Sequence, residues 1–153
     1  VTSEDLARGH SAEEDTSRGS SRAKGDSMSD VTVKQFKDLD GYQEKPKGPK
    51  RFLYAGKGLG VKAWGLNILN LPAGWKDYPE HDHTSDGQEE VYTVLKGSAK
   101  LKAGGKTIAM KPGVLARVGP GVKRKIVPGA RGVTILAMGG TPGKAYKLPD
   151  WIK

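Results

Sequence analysis

Apolar and polar residues alternate in short runs over most of the chain beyond residue 50, and glycine or proline interrupts nearly every run. The segment 98–103 (SAKLKA) sets Lys100 and Lys102 on one face and Ala99, Leu101 and Ala103 on the other, the pattern of a half-buried strand. Gly104 and Gly105 supply a tight hairpin turn, 106–110 is the predicted return strand, and Lys111-Pro112-Gly113 ends it. Segments 114–118 and 122–127 read as two further short strands about Gly119-Pro120-Gly121, and the unbroken apolar run 133–138 (VTILAM) as a strand buried on both sides. Upstream, 51–54 and 61–64 are strand candidates with a hairpin-like connection over 55–60, and 88–95 is rich in the β-branched and aromatic types that favour strands. With 22 Gly and 9 Pro set between such runs, helices are disfavoured and the chain is predicted to be an all-β sandwich or barrel.

The first 30 residues break this pattern. They are rich in Ser, Gly and charged residues and nearly free of bulky apolar ones, so they cannot bury enough surface to offset their ordering entropy. Residues 1–30 are therefore expected to be a disordered tail, with 1–27 an extension upstream of a natural start at Met28; His10 lies there and is assigned no chemistry. A lead-in segment follows over 31–50. Its first part, 31–39, suits either a strand or one or two helical turns, and 45–50 (KPKGPK) is a basic connector. The β-barrel is expected over 51–140, with a C-terminal extension over 141–153.

At 153 residues the chain has room for one such domain and not for two. No apolar run approaches the length that spans a bilayer, so no membrane partner is expected and the location implied is cytoplasmic. The absence of cysteine removes disulfides, thiolate nucleophiles and Cys-ligated metals. Net charge is +9; residues 1–30 hold seven acidic and four basic groups, which leaves 22 basic and 10 acidic residues, or +12, on the remainder. The lysines are spread along the chain and aromatics are not interleaved with them, so the surplus reads as a solvated surface and nucleic acid is not an expected partner.

Candidate chemistry concentrates in 78–97 (YPEHDHTSDGQEEVYTVLKG). In a strand, His81 and His83 project from one face and Asp82 from the other. The turn composition of 84–87 would bring the next strand back, with Glu90 returning toward the imidazoles. Two His and one carboxylate with open positions suit a divalent metal such as Fe, Mn, Ni, Zn or Cu; the same residues can also be plain exposed polar groups. The glycine clusters at 55–60 and 139–145 match neither a dinucleotide fingerprint nor a P-loop, because the first precedes an alternating segment and the second has wrong spacing and Ala145 at the magnesium-contacting position. A Ser-His-Asp triad has no histidine left to use.

These residues resemble the cupin superfamily, small jelly-roll β-barrels built around two consecutive motifs. Gly74, His81, His83, Glu90 and Gly97 resemble the first motif, with six residues between Glu90 and Gly97 as in the family. Six residues separate Gly74 from His81 where five are usual, and six separate His83 from Glu90 where three or four are usual. Gly113, Pro120 and Gly121 resemble the second motif, but Arg124 stands where the family places its fourth metal ligand. The resemblance covers about residues 50–140 and implies a single-domain cupin, a metal held by His81, His83 and Glu90, a small-molecule ligand or substrate and a homodimer.

By alternation Arg124 shares a face with Ile126, so if Ile126 is inside the barrel Arg124 is too. Arginine stays protonated and cannot ligate a metal, which leaves two readings. In one, the metal supports oxygenase- or isomerase-type chemistry, Arg124 holds an anionic substrate, and Tyr92, on the face of Glu90, is a proton donor or pocket wall. In the other, Arg124 pairs with Glu90 or holds an anion, and the domain is a metal-free, non-enzymatic ligand-binding or structural cupin. Tyr78 and Trp64 are expected in the core or lining the pocket, Asp82 and Glu89 face solvent, and Arg117 is left undecided.

Overall fold

A computed structural model of the chain describes residues 31–152, so the expectations for residues 1–30 lie outside the described residues. A single 3₁₀ turn at Phe36–Asp38 opens this part, which resolves the ambiguity over 31–39. The strands are β1 (Gly41–Gln43), β2 (Lys50–Leu53), β3 (Gly65–Leu71), β4 (Glu89–Ala103), β5 (Lys106–Met110), β6 (Leu115–Val118) and β7 (Arg124–Gly140), with a short helix α1 (Ala55–Leu59) between β2 and β3. All pair antiparallel in the order β1-β2-β3-β7-β4-β5, with β6 also on β4. The all-β jelly-roll barrel implied by the motifs is the observed architecture.

Two long strands carry the barrel. The expected pairs of short strands, 88–95 with 98–103 and 122–127 with 133–138, are each one continuous strand, β4 and β7, which pair along almost their whole length. The breakers bend the strands instead of ending them. The β4–β7 register shifts between Val94 and Lys96 and again between Gly97 and Ala99, and Gly97 sits at φ +79° where a Cβ would lie 2.2 Å from the Gly132 carbonyl oxygen. Only glycine permits that approach and that backbone angle. The bends let one strand serve both ends of the barrel.

The alternation predicted from sequence sorts the side chains. Leu69, Leu71, Tyr92, Val94, Leu101, Ile126 and Ile135 are all below 5% exposed and form the interior cluster. Each large aliphatic side chain so buried contributes roughly 1.5–3 kcal/mol. On the other side of β3 and β7, Leu39, Leu53, Ala55 and Ile68 form a second cluster against which Leu66 and Leu136 pack. The run 133–138 is therefore covered on both faces, as its unbroken hydrophobicity predicts.

Three local expectations fail. Segment 61–64 is not a strand, and the connection over 55–60 is a helical turn, anchored by buried Ala55 and closed by Gly60 at φ +77°. Glycine content argues against helix, but one turn needs only a single buried contact and a left-handed cap. Trp64, expected in the core or pocket, is 49% exposed, because the chain around it never enters the strand that would turn it inward.

Candidate metal centre

His81 and His83 are not in a regular strand. His81 makes an isolated antiparallel bridge with Arg124, through N–H to the Arg124 carbonyl at 3.1 Å and from the Arg124 N–H at 2.8 Å, and the His83 N–H donates to the Pro120 carbonyl at 2.8 Å. These bonds hold the segment extended against the start of β7, so the two imidazoles still converge. A turn over 84–86 with Gly87 at φ +71° returns the chain to β4, whose second residue is Glu90.

The three side chains meet as the sequence predicts. One ligand atom from each of His81, His83 and Glu90 lies within 4.8 Å of the others. Glu90 Oε2 is 3.7 Å from His81 Nε2 and 3.4 Å from His83 Nε2. Two donors bound to one ion at about 2.0–2.2 Å each are about 3.0–3.5 Å apart when adjacent, so the set is close to ligating distances. The outer nitrogens are engaged: His81 Nδ1 lies 3.1 Å from the Pro79 carbonyl, and His83 Nδ1 lies 3.1 Å from both carboxylate oxygens of Asp86. With the Nδ1 hydrogens donated to these acceptors, Nε2 is the nitrogen turned toward Glu90, and loss of its proton gives the tautomer a metal requires. The donor set therefore fits a divalent ion.

Two further groups meet the same carboxylate. The Tyr92 hydroxyl donates to Glu90 Oε2, and Arg124 Nε approaches that oxygen to 3.4 Å. Burial pushes the Glu90 carboxyl up, but the hydrogen bonds from His81 and Tyr92 and the charges of His83 and Arg124 outweigh it and hold the group below its ordinary range. The hydrogen bond to Glu90 raises His81 against the opposing effect of burial. Tyr92 is driven up by burial first, then by the neighbouring Tyr78 and Glu90, so it stays protonated as a donor.

Arg124 is inside the barrel with 0% exposure, as its parity with Ile126 predicts. It does not face the cavity. A cavity of about 1180 Å³ opens over His81, His83 and Glu90, and Arg124 is not part of its wall. The guanidinium lies beneath Glu90, donates through Nη2 to the Gly119 carbonyl at 3.2 Å, and leaves Nε and Nη1 without hydrogen-bond partners. Of the two readings of Arg124, this arrangement turns the guanidinium toward Glu90 and not toward the cavity. Nor is the cavity wall cationic. Lys144 and Lys147 are accompanied by Glu44, Asp77 and Asp86.

The remaining residues fall as follows. Tyr78 and Tyr92 are buried at 5% and 1% exposure and line the cavity. Arg117 faces outward and pairs with Glu89, with side-chain exposures of 64% and 36%. Sequence reasoning missed Gln88, whose Nε2 lies 3.4 Å from His83 Nε2. Its parity with Glu90, and the four residues between it and His83, were the available signals. It also missed the far wall, where Trp75 and the segment 144–151 close over the cavity.

No protein-family model matches the sequence, and no curated protein matches it. Solved structures do. A cupin protein from Bacteroides fragilis is similar with a TM-score of 0.55 at 22% identity, over 72% of this chain and 93% of that one. A sugar phosphate isomerase of the cupin superfamily from Silicibacter pomeroyi gives 0.58 at 22% identity, over 72% and 77%. A predicted oxalate decarboxylase from Thermotoga maritima gives 0.54 at 21% identity, over 71% and 97%. At such identities the likeness establishes the fold and does not carry substrate or reaction.

Proposed function

We propose, from the cupin fold that this chain has, that it binds a divalent metal through His81, His83 and Glu90 and acts on a small organic molecule held in the cavity above them. The observation that carries this reading is the convergence of the three donor atoms within 4.8 Å at a cavity of about 1180 Å³. Concave sites with a few converging polar groups are where small ligands bind. A bound ion would supply Lewis-acid or redox chemistry of the oxygenase or isomerase type. The chain's residues supply the rest. Pro79 and Asp86 orient the two imidazoles, and Tyr92 holds Glu90 through its hydroxyl. Arg124 balances the carboxylate charge from below, and Tyr78 and Trp75 provide an aromatic wall that excludes water from the ligand. In this reading Tyr92 and Arg124 are positioning residues.

A second reading rests on one observation, the 3.4 Å approach of Arg124 Nε to Glu90 Oε2. It makes the domain a metal-free binder in which the ion pair occupies the carboxylate. The two readings separate on chelation. A panel of small organic acids, alcohols and sugars is screened for oxygen consumption and isomerisation, with ligand binding followed by tryptophan fluorescence. The metal reading predicts turnover that is lost in chelator and returns when one divalent ion is restored. Ligand binding indifferent to chelator, with no turnover under any metal, would overturn it in favour of the second.

A further inference from the structure

We infer that Gln88 is a fourth ligand of this centre, through its side-chain amide oxygen. The inference rests on the metal reading above and adds a donor that neither the His-x-His pattern nor the carboxylate predicts. Gln88 immediately precedes β4 and, by alternation, projects to the same side as Glu90 and Tyr92. Its amide reaches the donor cluster, with Nε2 3.4 Å from His83 Nε2, and the residue lines the cavity.

The side chain is held in that position from two directions. Its backbone N–H donates to Asp86 Oδ1 at 3.0 Å, and the same carboxylate accepts from His83 Nδ1 at 3.1 Å, so one acidic residue fixes both Gln88 and His83. On the other side lies Gly139. A Cβ there would stand 2.9 Å from Gln88 Cδ, 3.1 Å from Nε2 and 3.2 Å from Oε1. The missing side chain on β7 is what gives the amide its seat.

The chemistry follows from the two ends of a carboxamide. The NH₂ end is a donor only; it lies against His83 Nε2 and can donate to it when that nitrogen carries no hydrogen and no metal. The oxygen end is a neutral hard ligand. A half-turn about the terminal torsion exchanges the two ends with little change in shape, and that torsion is soft. Gln88 thus caps His83 when the site is empty and offers its oxygen when a cation is bound. This compensates for Arg124, which cannot serve as a ligand. An added oxygen donor also tilts the site toward harder ions such as Mn(II) and Fe(II).

The test uses Mn(II) alone, titrated into chelator-stripped chain by calorimetry and followed by the electron paramagnetic resonance of the ion. Loss of one oxygen ligand in Gln88→Ala is expected to weaken Mn(II) binding by about tenfold or more and to change the spectrum, with the urea midpoint of the metal-free protein nearly unchanged. Gln88→Glu, which keeps an oxygen at the same reach, should bind at least as tightly as the parent. Gly139→Ala should imitate Gln88→Ala, because the new methyl group displaces the amide without altering any donor. Parent affinity abolished by His81→Ala/His83→Ala but unchanged within twofold in Gln88→Ala would overturn this inference and leave the metal reading standing. A parent chain that takes up no Mn(II), Fe(II) or other divalent ion would overturn both.

Discussion

The ion pair between Arg124 and Glu90 can be tested by a double-mutant cycle on the metal-free protein. Arg124 is wholly buried, the Glu90 side chain is 15% exposed, and Nε lies 3.4 Å from Oε2. Coulomb attraction over that distance at an effective dielectric constant of 20 is about 5 kcal/mol, a ceiling that water at Glu90 and its other partners reduce. Glu90→Gln leaves the guanidinium buried against a neutral amide, and breaking a buried pair this way costs about 3–5 kcal/mol. Arg124→Met is milder. Glu90 retains Tyr92 and both imidazoles, and the variant removes Nε and Nη1, which make no hydrogen bonds, so the lost counter-charge is offset by relief of about 1–3 kcal/mol per orphaned donor. The double variant should lose much less than the sum of the single losses, giving a coupling of about 2 kcal/mol or more. Urea denaturation of the four proteins in chelator, analysed by linear extrapolation, measures it. Losses that add to within about 0.5 kcal/mol would show that the two charges are not coupled and refute the arrangement beneath the site.

Three further outcomes follow from the same geometry. Tyr92→Phe removes a buried hydroxyl that donates to Glu90, and should destabilise the metal-free fold by about 1–3 kcal/mol in urea and weaken divalent metal binding. Asp86→Ala frees the Nδ1 side of His83 and should lower metal affinity by about 10–100-fold in a calorimetric titration while shifting the urea midpoint little, since Asp86 is 56% exposed. Gly97→Ala places a methyl group 2.2 Å from the Gly132 oxygen at a positive φ, and should lower stability by about 3 kcal/mol or more or prevent folding, as read by circular dichroism on heating.

The fold was legible in the sequence where local chemistry decides it. The alternation of 98–103 and the Gly104-Gly105 turn predict β4 and β5 because side-chain parity and positive φ are properties of a few neighbouring residues. The burial of Arg124 followed from the same parity, through Ile126. The metal candidates were legible because a strand-like pair and a turn suffice to bring His81, His83 and Glu90 together. Continuity of β4 through Gly97 was not legible, because a glycine that bends a strand and one that ends it look alike until the partner backbone, here at Gly132, is placed. The role of Arg124 turned on direction. Parity says that a side chain points inward and cannot say whether it reaches the cavity or stops beneath a carboxylate. The cavity wall at 144–151 and the seat for Gln88 at Gly139 depend on contacts between distant segments, which leave no periodic trace.

The most direct test of the metal centre is elemental analysis of chain purified without a metal-affinity step, beside the His81→Ala/His83→Ala variant prepared in the same way. The account predicts near-stoichiometric Fe, Mn, Ni, Zn or Cu in the parent, or its uptake on reconstitution, and neither in the variant. A parent that carries no such ion and takes up none, or a variant that retains as much metal as the parent, would contradict it.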